Sequence, residues 1–357
     1  MTATPSQRNA PDIRQFVATL HSTPYPAIDP ALVKLPSPYV VCIIGGGGAA
    51  GGGLARAYAR AGASGIILAA RNRQRLEEAA KEIRSIAPNA KVVVAGCDIA
   101  SDTSLGELAT TTRTEFNGRL DVVVANAGYS GLIIADVLQE TAEDCETAFN
   151  VNTIGTFNAA RHFLPLLLAT KSGAKSFLAI CSMAAPMVAG PMAHTHYCVS
   201  KAAQARIIEM IYEQYAGQGL FCASVHPGGL KSEFAKAMPE DMLHLLTEHP
   251  DLVGAFCLWL TKPEAWRQKK ALNGRFLSCK WDVNELEGRF DEILDKDLLR
   301  LRFAVKYQKL PTNNLLTSYG YYKVYADLLQ TTRLYCKFQP FGRCTEYYSE
   351  VNFIDTE

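Results

Sequence analysis

The sequence predicts an α/β fold built on a doubly wound parallel sheet of about seven strands, with helices on both faces. From Val40 onward, short apolar runs rich in β-branched residues alternate with longer stretches of helical spacing. Continuous apolar runs are typical of strands that are buried on both faces, as in parallel sheets covered by helices. Because crossovers between parallel strands are right-handed, this alternation predicts a doubly wound sheet.

The predicted strands and helices follow one another from the first strand onward. The segments that predict strands are VVCII, GIILAA, KVVVAGC, DVVVANAG, SFLAICS, LFCASVHPGG and GRFLSC. The segments that predict helices are GLARAYARAG, QRLEEAAKEIRSI, LGELATTTRTEF and YCVSKAAQARIIEMIYEQYA, with further helical spacing at 282–305. We therefore expect one catalytic or binding domain over residues 39–305.

Both ends of the chain differ from this central region. Residues 1–38 hold seven prolines, which predict an irregular N-terminal arm. Residues 306–357 hold eight of the fifteen tyrosines and show neither a strand period nor a helix period. We treat them as a C-terminal tail for which the sequence predicts no structure and no role.

The composition of the chain argues against some classes of binding partner. The 357 residues are 48% hydrophobic with a formal net charge of +1, which argues against nucleic acid or an anionic membrane surface. The longest apolar stretch, FLPLLLA at 163–169, is too short to span a bilayer, and the N-terminus does not resemble a signal peptide. The ten cysteines are scattered without a C-x-x-C pair, so we expect reduced thiols, no metal site and a cytoplasmic location.

A glycine-rich turn joins the first predicted strand to the first predicted helix. Seven of the nine positions from Gly45 to Gly53 are glycine. At such a turn the backbone N–H groups and the helix N-terminus bind a pyrophosphate, and glycine lets the backbone approach it. We therefore predict a dinucleotide site at this turn, although a flexible loop would have the same composition.

Further polar residues follow the predicted strands in an informative order. Asp98 follows the third strand, where a carboxylate would meet an adenine amino group, and the triplet Asn126, Ala127 and Gly128 ends the fourth. Ser182 ends the next strand. Tyr197 and Lys201 stand four residues apart, so they share one face of the predicted helix.

In this order the residues resemble the short-chain dehydrogenase/reductase family, over roughly residues 35–305. The similarity is strongest to variants from filamentous fungi that serve secondary metabolism, through YPAID before the fold and GRFLSCKWDVNELEGRFDEI near its end. The resemblance implies a Rossmann-like domain that binds a nicotinamide dinucleotide. It also implies dimers or tetramers formed through the helices around Asn152 and Tyr197, so a homo-oligomer is expected.

The glycine motif of this chain departs from the family pattern T-G-x-x-x-G-x-G. In the register that keeps the helix length, Gly45 and Gly51 are the outer glycines, Ile44 replaces the threonine and Ala49 replaces the middle glycine. A second register restores all three glycines but shortens the helix. It uses Gly47, Gly51 and Gly53. We prefer the first register and expect Gly45, Gly47 and Gly51 at the cofactor.

The resemblance assigns catalytic roles. Tyr197 is the general acid or base, Lys201 promotes its ionisation and binds the nicotinamide ribose, and Ser182 binds the substrate oxygen. A free tyrosine has a pKa of about 10, so a nearby ammonium is expected to favour the phenolate. Asn152 matches the asparagine that supports a water relay to the lysine, with Asn150 as the weaker candidate.

The cofactor is expected to be NADP(H) rather than NAD(H). In NAD enzymes of this architecture an acidic residue near the end of the second strand bonds the ribose 2′-OH. Here Ala70 takes that place, and Arg71, with Arg73 close behind, offers a guanidinium for a 2′-phosphate. The resemblance adds Pro227 and Gly228 at the nicotinamide and Ser232 at its carboxamide.

Two segments border the expected substrate site. The interval from Ser182 to Tyr197 is longer than is usual in the family, and its His194 and His196 either touch substrate or are ordinary loop residues. His226 is interpreted as structural. The lid segment 233–250 carries an apolar stripe that either faces substrate or docks a helix, formed by Phe234, Met238, Met242 and Leu245.

These observations predict an NADP-dependent oxidoreductase that interconverts a ketone and a secondary alcohol on a small apolar molecule. A non-catalytic dinucleotide-binding sensor or scaffold is the first alternative. A reductase acting on an acyl chain is the second.

Overall fold

The computed structural model describes residues 13–232, 238 and 240–302. The predicted tail at 306–357, the first twelve residues of the arm, and Phe234 of the lid segment lie outside the described residues.

Seven parallel strands form one sheet, as predicted. They are β1 (Val40–Ile44), β2 (Gly65–Ala70), β3 (Lys91–Gly96), β4 (Val122–Ala125), β5 (Ser176–Ile180), β6 (Phe221–His226) and β7 (Arg275–Ser278). Their order is β3-β2-β1-β4-β5-β6-β7, and every neighbouring pair is parallel. The direction of winding reverses between β1 and β4, which leaves a crevice at the carboxyl ends of these two strands.

Helices cover both faces of the sheet. They are α1 (Ala49–Arg60), α2 (Arg73–Ile86), α3 (Asp102–Glu115), α4 (Ala142–Ala148), α5 (Gly155–Ala169), α6 (Thr195–Tyr215), α7 (Pro250–Thr261), α8 (Trp266–Leu272), α9 (Val283–Glu287) and α10 (Phe290–Asp295). A π-helical stretch at Phe149–Ile154 joins α4 to α5.

Alternate residues of the strands belong to two different cores. In β1, the side chains of Val41 and Ile43 pack with α1, α2 and α7 on one face. Those of Cys42 and Ile44 pack with α3, α5 and α6 on the other. Burial on both faces explains why the strand sequences are apolar throughout rather than alternating.

The N-terminal residues from 13 to 38 pack on the domain through single 3-10 turns. Val17, Ile28 and Leu35 are buried in the α1/α7 core. Polar contacts add to this packing: the His21 ring lies 2.9 Å from the Asp282 carboxylate.

Helix α1 begins earlier than the sequence pattern indicated. The pattern GLARAYARAG placed its first residue at Gly53, whereas the helix begins at Ala49, so that prediction was wrong by four residues. Glycine is a poor helix former in isolation, but this face of α1 is buried against α7, and tertiary packing outweighs propensity. In the described ranges, no helix combines the length and apolar character needed to cross a membrane.

Candidate active site

A cleft of about 1350 Å³ opens at the carboxyl ends of the strands, beside the reversal between β1 and β4. Most of the residues predicted from the sequence line it. They are Gly45, Gly47, Arg71, Asp98, Asn126, Ala127, Gly128, Ser182, Tyr197, Lys201, Pro227, Gly228 and Ser232. Gly51 and Asn152 do not line it.

The turn after β1 requires glycine at its first position. Gly45 has a φ of +97°, and a Cβ there would lie 2.6 Å from the backbone nitrogen of Ala127. The Asn126 side-chain amide donates a hydrogen bond of 2.8 Å to the Gly45 carbonyl oxygen. The ends of β1 and β4 are therefore joined at the base of the cleft.

Gly51 lies behind this turn rather than on the cleft wall, which corrects its predicted contact with a cofactor. A Cβ at Gly51 would lie 2.3 Å from the Gly45 carbonyl oxygen, so the glycine lets the start of α1 approach the turn. Gly48 caps α1 without a side-chain hydrogen bond, and Gly48, Ala49 and Ala50 line the cleft. A helix N-terminus that receives no side-chain hydrogen bond, beside a glycine turn, fits a pyrophosphate.

The end of β2 presents arginines to the same cleft. Arg71, directly after the strand, is exposed and lines the cleft. Arg73 does not line it, because its guanidinium turns to Glu77 on α2 at 3.8 Å. Arg75 lines the cleft instead. The sequence analysis did not single out Arg75, which lies in the first turn of α2.

Asp98 stands at the rim after β3, as predicted. Its carboxylate accepts a hydrogen bond of 3.0 Å from the backbone N–H of Ala100, and its own N–H donates to the Ser104 hydroxyl. These bonds hold Asp98 at the rim of the cleft.

Tyr197 sits in the first turn of α6, with Ser182 two residues beyond β5. Burial raises the pKa of the Tyr197 phenol, and a hydrogen bond with the Ser182 hydroxyl lowers it by less. The His194 ring stacks on the Tyr197 ring, with centroids 5.1 Å apart and an interplanar angle of 9°. His194 also lines the cleft, so it is the histidine of the loop that can face a substrate.

Lys201 lies one turn further along α6 and is 2% exposed. Its ammonium donates to the Ile180 carbonyl oxygen and to Gln204 Oε1, each at 3.0 Å, and lies 5.9 Å from the centre of the Tyr197 ring. Burial lowers the pKa of Lys201 to about 8. The expected lowering of the tyrosine pKa by this ammonium is not seen: the pKa of Tyr197 is raised, and burial is the largest cause.

Asn152 occupies the π-helical stretch, fully buried outside the cleft. Its amide oxygen accepts from the Tyr129 N–H at 2.9 Å, and its NH₂ group donates to the Tyr129 carbonyl and to Ser200 Oγ. The side chain thus ties the loop after β4 to α6. π-Helical turns are frequent at functional sites, but no sequence pattern here indicated one. The alternative, Asn150, is exposed.

His196 and Glu140 form a second buried contact beside the cleft. The His196 ring lies 2.6 Å from the Glu140 carboxylate and 2.8 Å from the Ser130 carbonyl oxygen. Glu140 also accepts from the backbone N–H groups of Thr195 and His196. Burial raises the pKa of Glu140, but these hydrogen bonds outweigh it and lower the pKa to about 2. The sequence reading missed Glu140, which holds the N-terminus of α6 from outside the helix.

The wall after β6 is supported by a buried carboxylate. The Glu248 side chain accepts from the Gly229 N–H and pairs with Lys280 at 2.7 Å. His226 accepts a hydrogen bond of 3.1 Å at Nδ1 from the Met183 N–H, and burial lowers its pKa to about 4. A neutral His226 therefore orders the backbone next to Ser182.

Apolar side chains, many of them methionine, also line the cleft. The side chains that line it include Ile133, Met183, Met187, Met192, Leu230, Met238 and Leu245. Methionine is unbranched and adapts to irregular apolar shapes.

The strand order and its reversal define a Rossmann-like α/β protein. The model of a protein family described as short chain dehydrogenase matches residues 39–243. The chain therefore belongs to the short-chain dehydrogenase/reductase family, whose members are oxidoreductases that bind nicotinamide dinucleotides.

Named relatives agree with this assignment. The short chain dehydrogenase pgmD of Aspergillus terreus is 32% identical over 298 residues, which cover 81% of this chain and 94% of the relative. The short chain dehydrogenase andI of Emericella variicolor is 31% identical, over 82% of this chain and 97% of the relative. A 7α-hydroxysteroid dehydrogenase solved with NADH and 7-oxo glycochenodeoxycholic acid shares the fold, with a TM-score of 0.60, 23% identity, and coverage of 71% and 96%.

Proposed function

We propose that this protein is an NADP(H)-dependent oxidoreductase that interconverts a ketone and a secondary alcohol on an apolar molecule. The observation that carries the proposal is the convergence of Ser182, Tyr197 and Lys201 on the cleft that also contains the glycine turn. A sensor or scaffold has no need of a proton donor next to a nucleotide site.

In the direction of reduction, the Tyr197 hydroxyl donates a proton to the carbonyl oxygen of the substrate. The Ser182 hydroxyl hydrogen-bonds the same oxygen and stabilises its developing charge. The Lys201 ammonium stabilises the phenolate left behind. A bound nicotinamide would supply the hydride.

The glycine turn and its surroundings would hold the cofactor. The positive φ of Gly45 and the close approach of Gly51 support the register that begins at Gly45. Gly53, the last glycine of the alternative register, contacts α7 instead. Asp98 would bond the adenine, and Asn126, Ala127, Gly128, Pro227, Gly228 and Ser232 would complete the site along its length.

The preference for NADP(H) over NAD(H) rests on the end of β2. Arg71 and Arg75 line the cleft where a 2′-phosphate would lie, and Ala70 leaves that position without a carboxylate. Guanidinium groups bind phosphate through charge-assisted hydrogen bonds.

The substrate is proposed to be bulky and apolar because methionine and other aliphatic side chains line the cleft that contains Tyr197. We also propose a homo-oligomer. Support comes from the half-exposed apolar side chains of Phe157 on α5 and Val199 on α6. Light scattering of the purified protein tests this point.

The experiment that tests the function follows the decay of NADPH absorbance with a panel of bulky ketones and quinones. We expect turnover by the wild type, and Tyr197→Phe should reduce kcat by roughly 10²- to 10⁴-fold because the proton donor is lost. NADPH binding, measured by fluorescence, should stay near the wild-type value. Wild-type turnover in Tyr197→Phe would refute the role of the tyrosine. Tight NADPH binding without turnover of any panel member would favour a sensor.

A further inference from the structure

Lys201 is held by a chain of side-chain hydrogen bonds that runs from α6 to the π-helical stretch. Its ammonium donates to Gln204 Oε1 at 3.0 Å, and Gln204 lies three residues later on the same helix face. Gln204 Nε2 donates to Thr156 Oγ1 at 2.7 Å, and Thr156 Oγ1 donates to the Asn152 carbonyl oxygen at 2.8 Å. Gln204 and Thr156 are both 0% exposed.

The donors and acceptors in this series of hydrogen bonds allow only one orientation of the Gln204 amide. If the amide were flipped, its NH₂ group would face the ammonium, which has donors only. Its oxygen would then face a Thr156 hydroxyl whose hydrogen is already donated to the Asn152 carbonyl. Thr156 therefore orients Gln204, and Gln204 presents its oxygen to Lys201.

The same hydrogen bonds also determine how many N–H groups of Lys201 remain available. An ammonium has three donors. One goes to Gln204 and a second to the Ile180 carbonyl oxygen at 3.0 Å, so one is left on a side chain that lines the cleft.

We infer that Gln204 and Thr156 are positioning residues, which hold the Lys201 ammonium for its role beside Tyr197 and a nicotinamide ribose. This inference rests on the proposed function for its catalytic consequence. An amide accepts a hydrogen bond without neutralising the ammonium, so the full positive charge is kept for the phenolate. The titratable groups beside the ammonium are the Cys181 thiol and the Tyr197 phenol, and burial raises the pKa of both, so they are neutral near pH 7.

Substitutions at the two positions should raise or lower the pKa of Lys201 according to the group that they add or remove. Gln204→Glu places a carboxylate beside the ammonium and should raise the pKa of Lys201. Gln204→Met keeps a side chain of similar length but removes the acceptor, so the pKa should fall. Thr156→Val removes the hydroxyl that orients Gln204 and should lower the pKa less, whereas Thr156→Ser keeps the hydroxyl.

The test is an NMR titration of the full chain labelled with [ε-¹³C]lysine, in which the Lys201 signal is identified by its absence in Lys201→Met. We expect a wild-type midpoint near pH 8, a rise of roughly 1 to 2 pH units in Gln204→Glu and a fall of roughly 1 unit in Gln204→Met. Thr156→Ser should titrate like the wild type. Gln268→Leu is the matched control, because Gln268 is a buried glutamine whose NH₂ group binds Glu287.

Unchanged midpoints in Gln204→Glu and Gln204→Met, in protein that keeps its circular dichroism spectrum, would overturn the inference. If Gln204→Met does not fold, the midpoints measured in Gln204→Glu, Thr156→Val and Thr156→Ser decide whether the inference holds. The pH profile of kcat with the panel substrates should move with the midpoint. The titration does not depend on turnover, so it separates a failure of this inference from a failure of the proposed function.

Discussion

Gly53 of α1 and Gly254 of α7 meet backbone to backbone. A Cβ at Gly254 would lie 2.1 Å from the Gly53 carbonyl oxygen, and a Cβ at Gly53 would lie 1.9 Å from the carbonyl oxygen of Pro250. Part of the glycine run therefore serves helix packing rather than a phosphate. This packing helps to hold α1, and with it the turn at Gly45, against the sheet.

Alanine substitutions in the glycine run should separate these roles. Gly53→Ala or Gly254→Ala should lower the free energy of unfolding by about 3 kcal/mol or more, because backbone atoms cannot move aside as a side chain does. Gly52→Ala is the control: its Cβ would meet only the guanidinium end of Arg56, at 3.2 Å. It should raise helix stability by about 0.5–1 kcal/mol. Urea denaturation measures these changes in the free energy of unfolding. Equal changes for Gly52→Ala and Gly53→Ala would contradict the packing role of Gly53.

Cofactor preference should depend on Arg71 and not on Arg73. Arg71→Ala should raise the KM for NADPH by roughly 10- to 100-fold through loss of a charge-assisted bond to the 2′-phosphate, with little change for NADH. Arg73→Ala is the matched control, since this arginine pairs with Glu77 outside the cleft. A lower KM for NADH than for NADPH in the wild type would refute the assignment.

The rate of reduction should fall above pH 8. Burial lowers the pKa of Lys201 to about 8, so the ammonium that we propose stabilises the Tyr197 phenolate is lost above that pH. We expect kcat for ketone reduction to be level below pH 8 and to decline above it.

The pH dependence of the free energy of unfolding gives an independent measurement of the pKa of Lys201. Between pH 8 and the ordinary value of 10.5, an unfolded lysine binds a proton that the folded one has released. The wild type should therefore gain stability relative to Lys201→Met as the pH rises through this range. A constant difference would show that Lys201 titrates normally.

Glu140 should stabilise the start of α6 in a pH-dependent manner. Hydrogen bonds from Thr195 and His196 outweigh the effect of burial and lower the pKa of Glu140 to about 2, below its ordinary value of 4.5. Its stabilising contribution is therefore complete above about pH 5 and is lost as the pH falls towards 2. Glu140→Gln should lower the Tm at pH 7, and the difference should shrink in acid. Glu146→Gln, on the exposed side of α4, should have no such effect.

The sequence by itself determined the sheet, its order of strands and helices, and most of the cleft. Apolar runs such as VVCII and GIILAA coincide with β1 and β2, because strands buried on both faces must be apolar throughout. Residues at the carboxyl ends of parallel strands converge on one edge, so local positions such as Asp98, Asn126 and Ser182 predicted a shared site.

Only the tertiary structure decided which residues support that site. The contacts of Glu140 with His196, of Gln204 with Thr156 and of Gly53 with Gly254 join elements 48 or more residues apart. Periodicity describes neighbours within one helix or strand and carries no information on which elements meet. For the same reason the sequence did not show that packing buries Gly51 and Asn152 behind the cleft.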